Sequence, residues 1–397
     1  MKRIYADCAA TTKISDKAKE AYIAACDVYG NPSSLHTEGD EAFRLLSSCR
    51  EKIASLLGAD AGEIYFTSGG SESDNQALYT IFEQGRKKGK TRIISTAVEH
   101  HAVLHTLDRL EKEGAQITVC PVDRDGRVSV SELEALLGDD VAGVSVMYAN
   151  NEIGTVEPVT EIAKLCRERG IIFHTDAVQA AGQIDIDVHR DGFDMMSLSA
   201  HKFHGPRGVG VLYIKKGIRP YTLISGGAQE KSFRAGTENL PAIAGMAAAL
   251  EEAVTTMEER NRKMSALRDR LITGMEKIPY SFLTGSREDR LPGNASFCFE
   301  GIEGESLLLH MDLRGIAASS GSACTSGSLD PSHVLLACGL PHEIAHGSLR
   351  LTISAENTLE EMDYICDMCA EVVALLREMS PVWDKLERGE NAHFTRD

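Results

Sequence analysis

The chain has 397 residues, 43% hydrophobic and 25% charged. That is ordinary globular usage, which excludes a disordered or collagen-like protein and supplies enough apolar material for a sizeable core. Its 42 Lys and Arg against 59 Asp and Glu give a formal charge of -17, the wrong sign for gripping a phosphodiester backbone, so direct nucleic-acid binding is not expected.

From about Lys17 to Tyr213 the pattern alternates between helical periodicity and short β-branched runs. Strands are expected at Ile64 to Thr67, Arg92 to Thr96, Gln116 to Pro121, Gly143 to Ala149, Ile171 to Asp176, Met195 to Ser199 and Gly208 to Ile214. Helices fit at Glu72 to Lys88, His101 to Glu113, Val130 to Leu137 and Thr160 to Arg169. Such alternation predicts an α/β fold with a large, doubly wound, mostly parallel sheet, whose ligands sit beyond the carboxyl ends of the strands.

After Pro241 one long helix is expected from about Ala242 to Glu276, followed by shorter strands and a last helix near Leu359 to Met379. This predicts a large domain over residues 15–256, and a smaller α+β domain from residues 1–14 and 257–397. The polar segment from Lys385 to Asp397 is expected to be mobile. No run approaches the roughly 18 apolar residues of a membrane span, and Asp7 precedes any apolar leader, so a soluble cytoplasmic protein is expected. Ten cysteines are too dilute for a disulfide scaffold and read mostly as small buried hydrophobes. Cys366 and Cys369 lie in an apolar-periodic helix with no second pair nearby, which favours packing over metal binding.

Six segments could carry chemistry. Lys202, in SAHKFHGPRGVG (Ser199 to Gly210), ends a strand before a Gly/Pro turn, where its amine could condense with an aldehyde. Asp176 ends an apolar strand in IIFHTDAVQ (Ile171 to Gln179) and needs a cation such as a pyridinium nitrogen; the alternative is a helix cap. Together the two suit pyridoxal phosphate. The turn FTSGGSE (Phe66 to Glu72) offers backbone N–H groups, hydroxyls and a helix N-terminus to a phosphate. His100, in VEHH, could stack on a planar cofactor and shuttle protons, or be half of a surface pair.

Cys324 lies among small residues in AASSGSACTSGS, which predicts an exposed thiol on a mobile loop. The chain from Ala318 to Cys324 reaches at most ~20 Å, enough to visit a deep site and then a partner. A nucleophilic role requires depression of its pKa or a proton acceptor such as His100. Arg350, inside the apolar strand SLRLTIS, needs an anion: a substrate carboxylate or a structural acid.

These motifs in this order, with YADCAATT (Tyr5 to Thr12), GNPSS (Gly30 to Ser34), NNEIG (Asn150 to Gly154) and the stretch Gly226 to Asn239, resemble the cysteine desulfurases. These are pyridoxal-phosphate enzymes of the class V aminotransferase group, here the branch with the long SSGSACTS loop. The resemblance implies a fold-type-I homodimer that converts L-cysteine to L-alanine and an enzyme persulfide. It implies that Lys202 holds the cofactor, that Asp176 and Gln179 contact its ring, and that His100 stacks on it. Gly70, Ser71, Ser199 and His201 would hold the phosphate, with Thr237 reaching across from the other subunit. Asn151, also near the cofactor, and Arg350 would bind the substrate carboxylate, and Cys324 would take the sulfur. The sulfur would pass to an acceptor protein such as an iron-sulfur scaffold, with Cys324 a possible transient cluster ligand and no stable metal site.

Three positions depart from the family pattern: Cys8 in place of Asn or Tyr, Ser71 in place of Thr, and His101 in place of Lys. None removes a required group. A selenocysteine lyase or other β-eliminating relative is the nearest alternative, and a sulfur-relay component acting mainly through partner binding is a second.

Overall fold

Seven of the short apolar runs assemble into one sheet in the computed structural model, which describes residues 3–321 and 330–395. From edge to edge the strands are Ile64–Thr67, Gly210–Ile214, Met195–Ser199, Ile172–Asp176, Val141–Ser145, Arg92–Thr96 and Gln116–Cys120. Gly210–Ile214 alone runs against the others. Val141–Ser145, Met195–Ser199 and Gly210–Ile214 are buried at every position, as a sheet covered on both faces requires. One face carries the helices Gly70–Arg86 and His101–Lys112, packed through Leu78, Ile81, Phe82, Val103 and Leu107. The other packs against Leu240–Thr255 and Val159–Glu168. The mostly parallel, doubly wound sheet expected from the alternation is present.

A second sheet orders Ser348–Thr352, Asn294–Phe299 and Ser281–Leu283 antiparallel. It packs with the helices Met257–Met275 and Leu359–Glu378 around Phe297, Phe299, Leu349 and Leu351. Ile4–Tyr5 pairs in parallel with Ile316–Ala317, and Asp7 bridges to Thr352. The start of the chain is thereby stitched to the second sheet, and residues 8–12 are led across to the strand ends of the first.

Three expectations need correction. The long helix is two helices, Leu240–Thr255 and Met257–Met275, because Thr256 leaves helical geometry (φ -108°, ψ 6°). The strand expected to reach Ala149 ends its two-sided pairing at Ser145, although Val146 and Tyr148 N–H groups still donate to His174 and Asp176 carbonyls. The polar C-terminal segment is docked through residue 394: His393 stacks on Tyr280 at 3.8 Å and bonds Glu300, which also accepts from the Phe394 N–H. Cys369 is buried in the helix Leu359–Glu378 and Cys366 is half-buried beside it, consistent with packing.

Candidate active site

The turn after Ile64–Thr67 carries Gly69 at φ 154°, ψ -178°, a region open essentially to glycine alone, and Gly70 starts a 17-residue helix. A Cβ on Gly70 would sit 2.7 Å from Val178 Cγ2, and one on Gly210 would sit 2.7 Å from Gly69 Cα, so both glycines permit close approach of backbone. The result is a cleft of about 440 Å³ lined by Ser68, Gly70, Ser71, Ser199, His201 and Arg207. Arg207 was not foreseen; its position in the turn after Lys202 was the available signal. His201 Nδ1 lies 3.2 Å from Thr11 Oγ1, and burial followed by the Lys202 charge pushes its pKa down to about 4.

Lys202 follows Met195–Ser199 by one turn, and its Nζ donates to the carbonyls of Ala9 at 2.5 Å and Ala10 at 3.0 Å. Gln179 Nε2 donates to the same Ala9 carbonyl at 3.0 Å. Asp176 ends the adjacent strand, is 5% exposed, and accepts the Val178 N–H at 2.9 Å. Burial pushes its carboxyl up to about 6, opposed by that N–H and by the Lys202 ammonium. The three side chains therefore meet at the carboxyl ends of neighbouring strands, where a doubly wound sheet places its ligands.

His100 caps the helix His101–Lys112 by accepting the Ala102 N–H at its Nδ1. Burial, then Lys202, pushes its pKa down to about 4. At neutral pH it is an uncharged ring whose proton, assigned from that bond, sits on Nε2, so it is a donor and a weak base. This argues against His100 as the group that deprotonates a thiol.

Arg350 is 3% exposed. One terminal nitrogen donates to Asp7 Oδ1 at 3.0 Å and the other to the Asn151 carbonyl at 3.1 Å, while its Nε has no hydrogen-bond partner among the described residues. The structural acid and the spare donor coexist, so both readings of this arginine have a physical basis. Its backbone pairs with Ser319, close before the segment containing Cys324. Cys324 itself lies outside the described residues. Asn151 reaches the site through its backbone; the neighbouring Asn150 is the buried side chain, and it shapes the turn by accepting the Glu152 and Ile153 N–H groups. Thr237 is exposed and is not among the residues lining the cleft.

The donor set fits pyridoxal phosphate. A polar cradle at a helix N-terminus suits a phosphate, a buried carboxylate at Asp176 suits a protonated ring nitrogen, and an amine lies next to it. A larger cavity, about 730 Å³, lies between Met257–Met275 and Leu359–Glu378. It is lined by Arg270, Lys277, Asp363 and Trp383 and brings together none of the groups above.

The family model described as aminotransferase class-V matches residues 4–365. Cysteine desulfurase IscS of Clostridium botulinum (strain Hall) is 50% identical over 387 residues, 96% of this chain and 97% of that protein. The protein of the same name from Methanosarcina thermophila is 50% identical over 385 residues, 97% and 95% of the two chains. Cysteine desulfurase NifS of Azotobacter vinelandii is 46% identical over 386 residues, 96% of each. Among solved structures, a NifS-like protein superposes with a TM-score of 0.88 at 38% identity, covering 94% of this chain and 100% of that one. A structure described as SspA in complex with cysteine gives a TM-score of 0.77 at 34% identity, covering 88% and 98%.

Proposed function

The chain belongs to the class-V aminotransferase family and is a cysteine desulfurase, and from that premise we propose that it binds pyridoxal phosphate at Lys202 and moves the sulfur of L-cysteine to Cys324. The observation that carries the reading is the convergence of Lys202 and Gln179 on one carbonyl beside the buried Asp176. When bound, the cofactor supplies an electron sink that acidifies the substrate Cα–H and weakens its Cβ–S bond.

Asp176 supplies the anion for the ring nitrogen, and Gln179 a donor for the ring's oxygen. Ser71, Ser199, His201 and the backbone N–H of Gly70 hold the phosphate, and Arg207 adds a cation. Arg350, held in place by the Asn151 carbonyl, orients the substrate carboxylate, with its Nε, unpartnered among the described residues, as the donor. Lys202 takes the Cα proton and returns protons to carbon. Cys324, as thiolate, attacks the substrate sulfur: an S–S bond forms, the Cβ–S bond breaks, and Cβ gains a proton to give L-alanine. The persulfide sulfur is oxidised as Cβ is reduced, so no external oxidant is required. His100 would act as a donor from Nε2 rather than as the acceptor of the thiol proton.

Thr237, exposed on the stretch Gly226 to Asn239, suits a homodimer in which it completes the partner's phosphate site. The product persulfide suits delivery to a thiol-bearing acceptor such as an iron-sulfur scaffold. The chain divides into a large unit, residues 15–256, and a smaller one, residues 1–14 with 257–397; the apolar clusters around Ile94 and Phe173 on one side and Phe297 and Leu349 on the other support that division. Among the described residues no helix is long and apolar enough to cross a membrane. The test is Cys324→Ala: alanine release from L-cysteine should fall to background while the cofactor spectrum still responds to substrate. Alanine and persulfide at wild-type rate would overturn the assignment.

A further inference from the structure

Behind the site lies a buried polar chain that no step above uses. Asp74, on the helix Gly70–Arg86, is 1% exposed, and its Oδ1 has no hydrogen-bond partner among the described residues. His174 Nε2 lies 3.7 Å from that oxygen and 2.9 Å from Ser197 Oγ, while His174 Nδ1 lies 2.9 Å from Ser145 Oγ. Ser197 also hydrogen-bonds the Asp74 side chain. Residues 174 and 176 alternate onto the same face of the sheet, the face on which Asp74 sits. Asp74, Asp176 and Glu99 are all buried; after burial itself, the charges of Asp176 and Glu99 raise the proton affinity of Asp74, and that of Asp176 also raises the proton affinity of Glu99. Lys202 is the cation that acts on Asp176, and among the described residues no Lys or Arg forms an ion pair with Asp74.

We propose that Asp74 is a positioning residue that holds a proton, so that Asp176 is the one anion of the pair that serves the cofactor ring. The proposal rests on the reading that Asp176 meets the ring nitrogen. Two buried carboxylates facing one cation cannot both ionise at moderate cost. Asp176 has the Val178 N–H and Lys202 on its side; Asp74 has an oxygen with no donor, which a neutral carboxyl tolerates better than a carboxylate. The relay then has one donor per link. The Asp74 O–H donates to Ser197 Oγ, Ser197 O–H donates to His174 Nε2, and His174 Nδ1–H donates to Ser145 Oγ. Burial keeps His174 uncharged, its pKa near 3.

Infrared spectra of the full-length enzyme, with aspartate carboxyl carbons isotopically labelled, test this directly. At neutral pH the holoenzyme should show a label-shifted protonated-carboxyl band, and Asp74→Asn should lose it. Because Asn mimics the neutral acid, the pH midpoint of the bound-cofactor visible band should stay at the wild-type value in that variant. Removing a true anion would lower that midpoint by on the order of one pH unit. A missing labelled band, a band that Asp74→Asn leaves in place, or such a drop would overturn the proposal. The labelled wild-type measurement needs no variant and so holds even if Asp74→Asn does not fold. A wild type that never develops the visible band would instead defeat the functional reading, and the infrared band of the cofactor-free chain would still decide Asp74.

Discussion

Replacing Gly69 by alanine separates backbone conformation from available space at the phosphate turn. The added Cβ meets only Ser199 Oγ, at 3.7 Å, an ordinary contact. The backbone is the obstacle: at φ 154°, ψ -178° a side chain costs about 1–3 kcal/mol. That energy has two places to appear. If the turn keeps its shape, the cofactor-free protein melts lower by about 1–4 °C, given the size of the chain. If the turn relaxes, the N–H groups of Gly70 and Ser71 swing away from the phosphate. The dissociation constant for pyridoxal phosphate then rises by about 5- to 150-fold, since each ~1.4 kcal/mol is tenfold. Thermal unfolding of the cofactor-free variant and a cofactor titration measure the two parts, whose free energies should sum to about 1–3 kcal/mol. Wild-type melting together with wild-type affinity would refute the reasoning.

Arg350→Lys keeps the charge but removes the fork and the spare Nε, so KM for L-cysteine should rise by roughly 10- to 100-fold, the worth of one hydrogen bond to a charged group. An unchanged KM would leave Arg350 as the structural partner of Asp7 alone. Glu99→Gln tests a buried acid. Burial pushes the Glu99 carboxyl up to about 8, against bonds from the Met147 N–H and Thr96 hydroxyl. Its folded pKa lies above the unfolded one, so the native state retains the proton and stability is lost as pH rises from about 4.5 to about 8, by on the order of a few kcal/mol. The Gln variant should flatten that slope in urea unfolding series across the window; an unchanged slope would contradict it.

Much of the site was legible because its residues end strands. Lys202, Asp176 and the Gly69–Gly70 turn each combine an apolar run with a residue that is costly to bury there unless it meets a ligand or partner, and a doubly wound sheet brings such ends together. Asp74 was not legible as a buried group: in GSESDNQ it reads as an ordinary polar helix residue, and only packing of that helix on the sheet takes it out of water. His174 was hidden inside a strand for the same reason. The break at Thr256 carries no Gly or Pro to announce it, and the docking of the chain end depends on Tyr280 and Glu300, more than ninety positions away. The His100 tautomer follows from a backbone bond that no spacing reveals.

The central claim is that Lys202 holds pyridoxal phosphate and that this pair acts on L-cysteine. The direct measurement is the visible absorbance of the desalted protein before and after L-cysteine, with alanine quantified in the same cuvette, for the wild type and Lys202→Ala. The account predicts a visible cofactor band in the wild type that changes on addition of cysteine as alanine accumulates, and neither in Lys202→Ala. A band that survives desalting in Lys202→Ala, or alanine formed by it at the wild-type rate, would contradict the account.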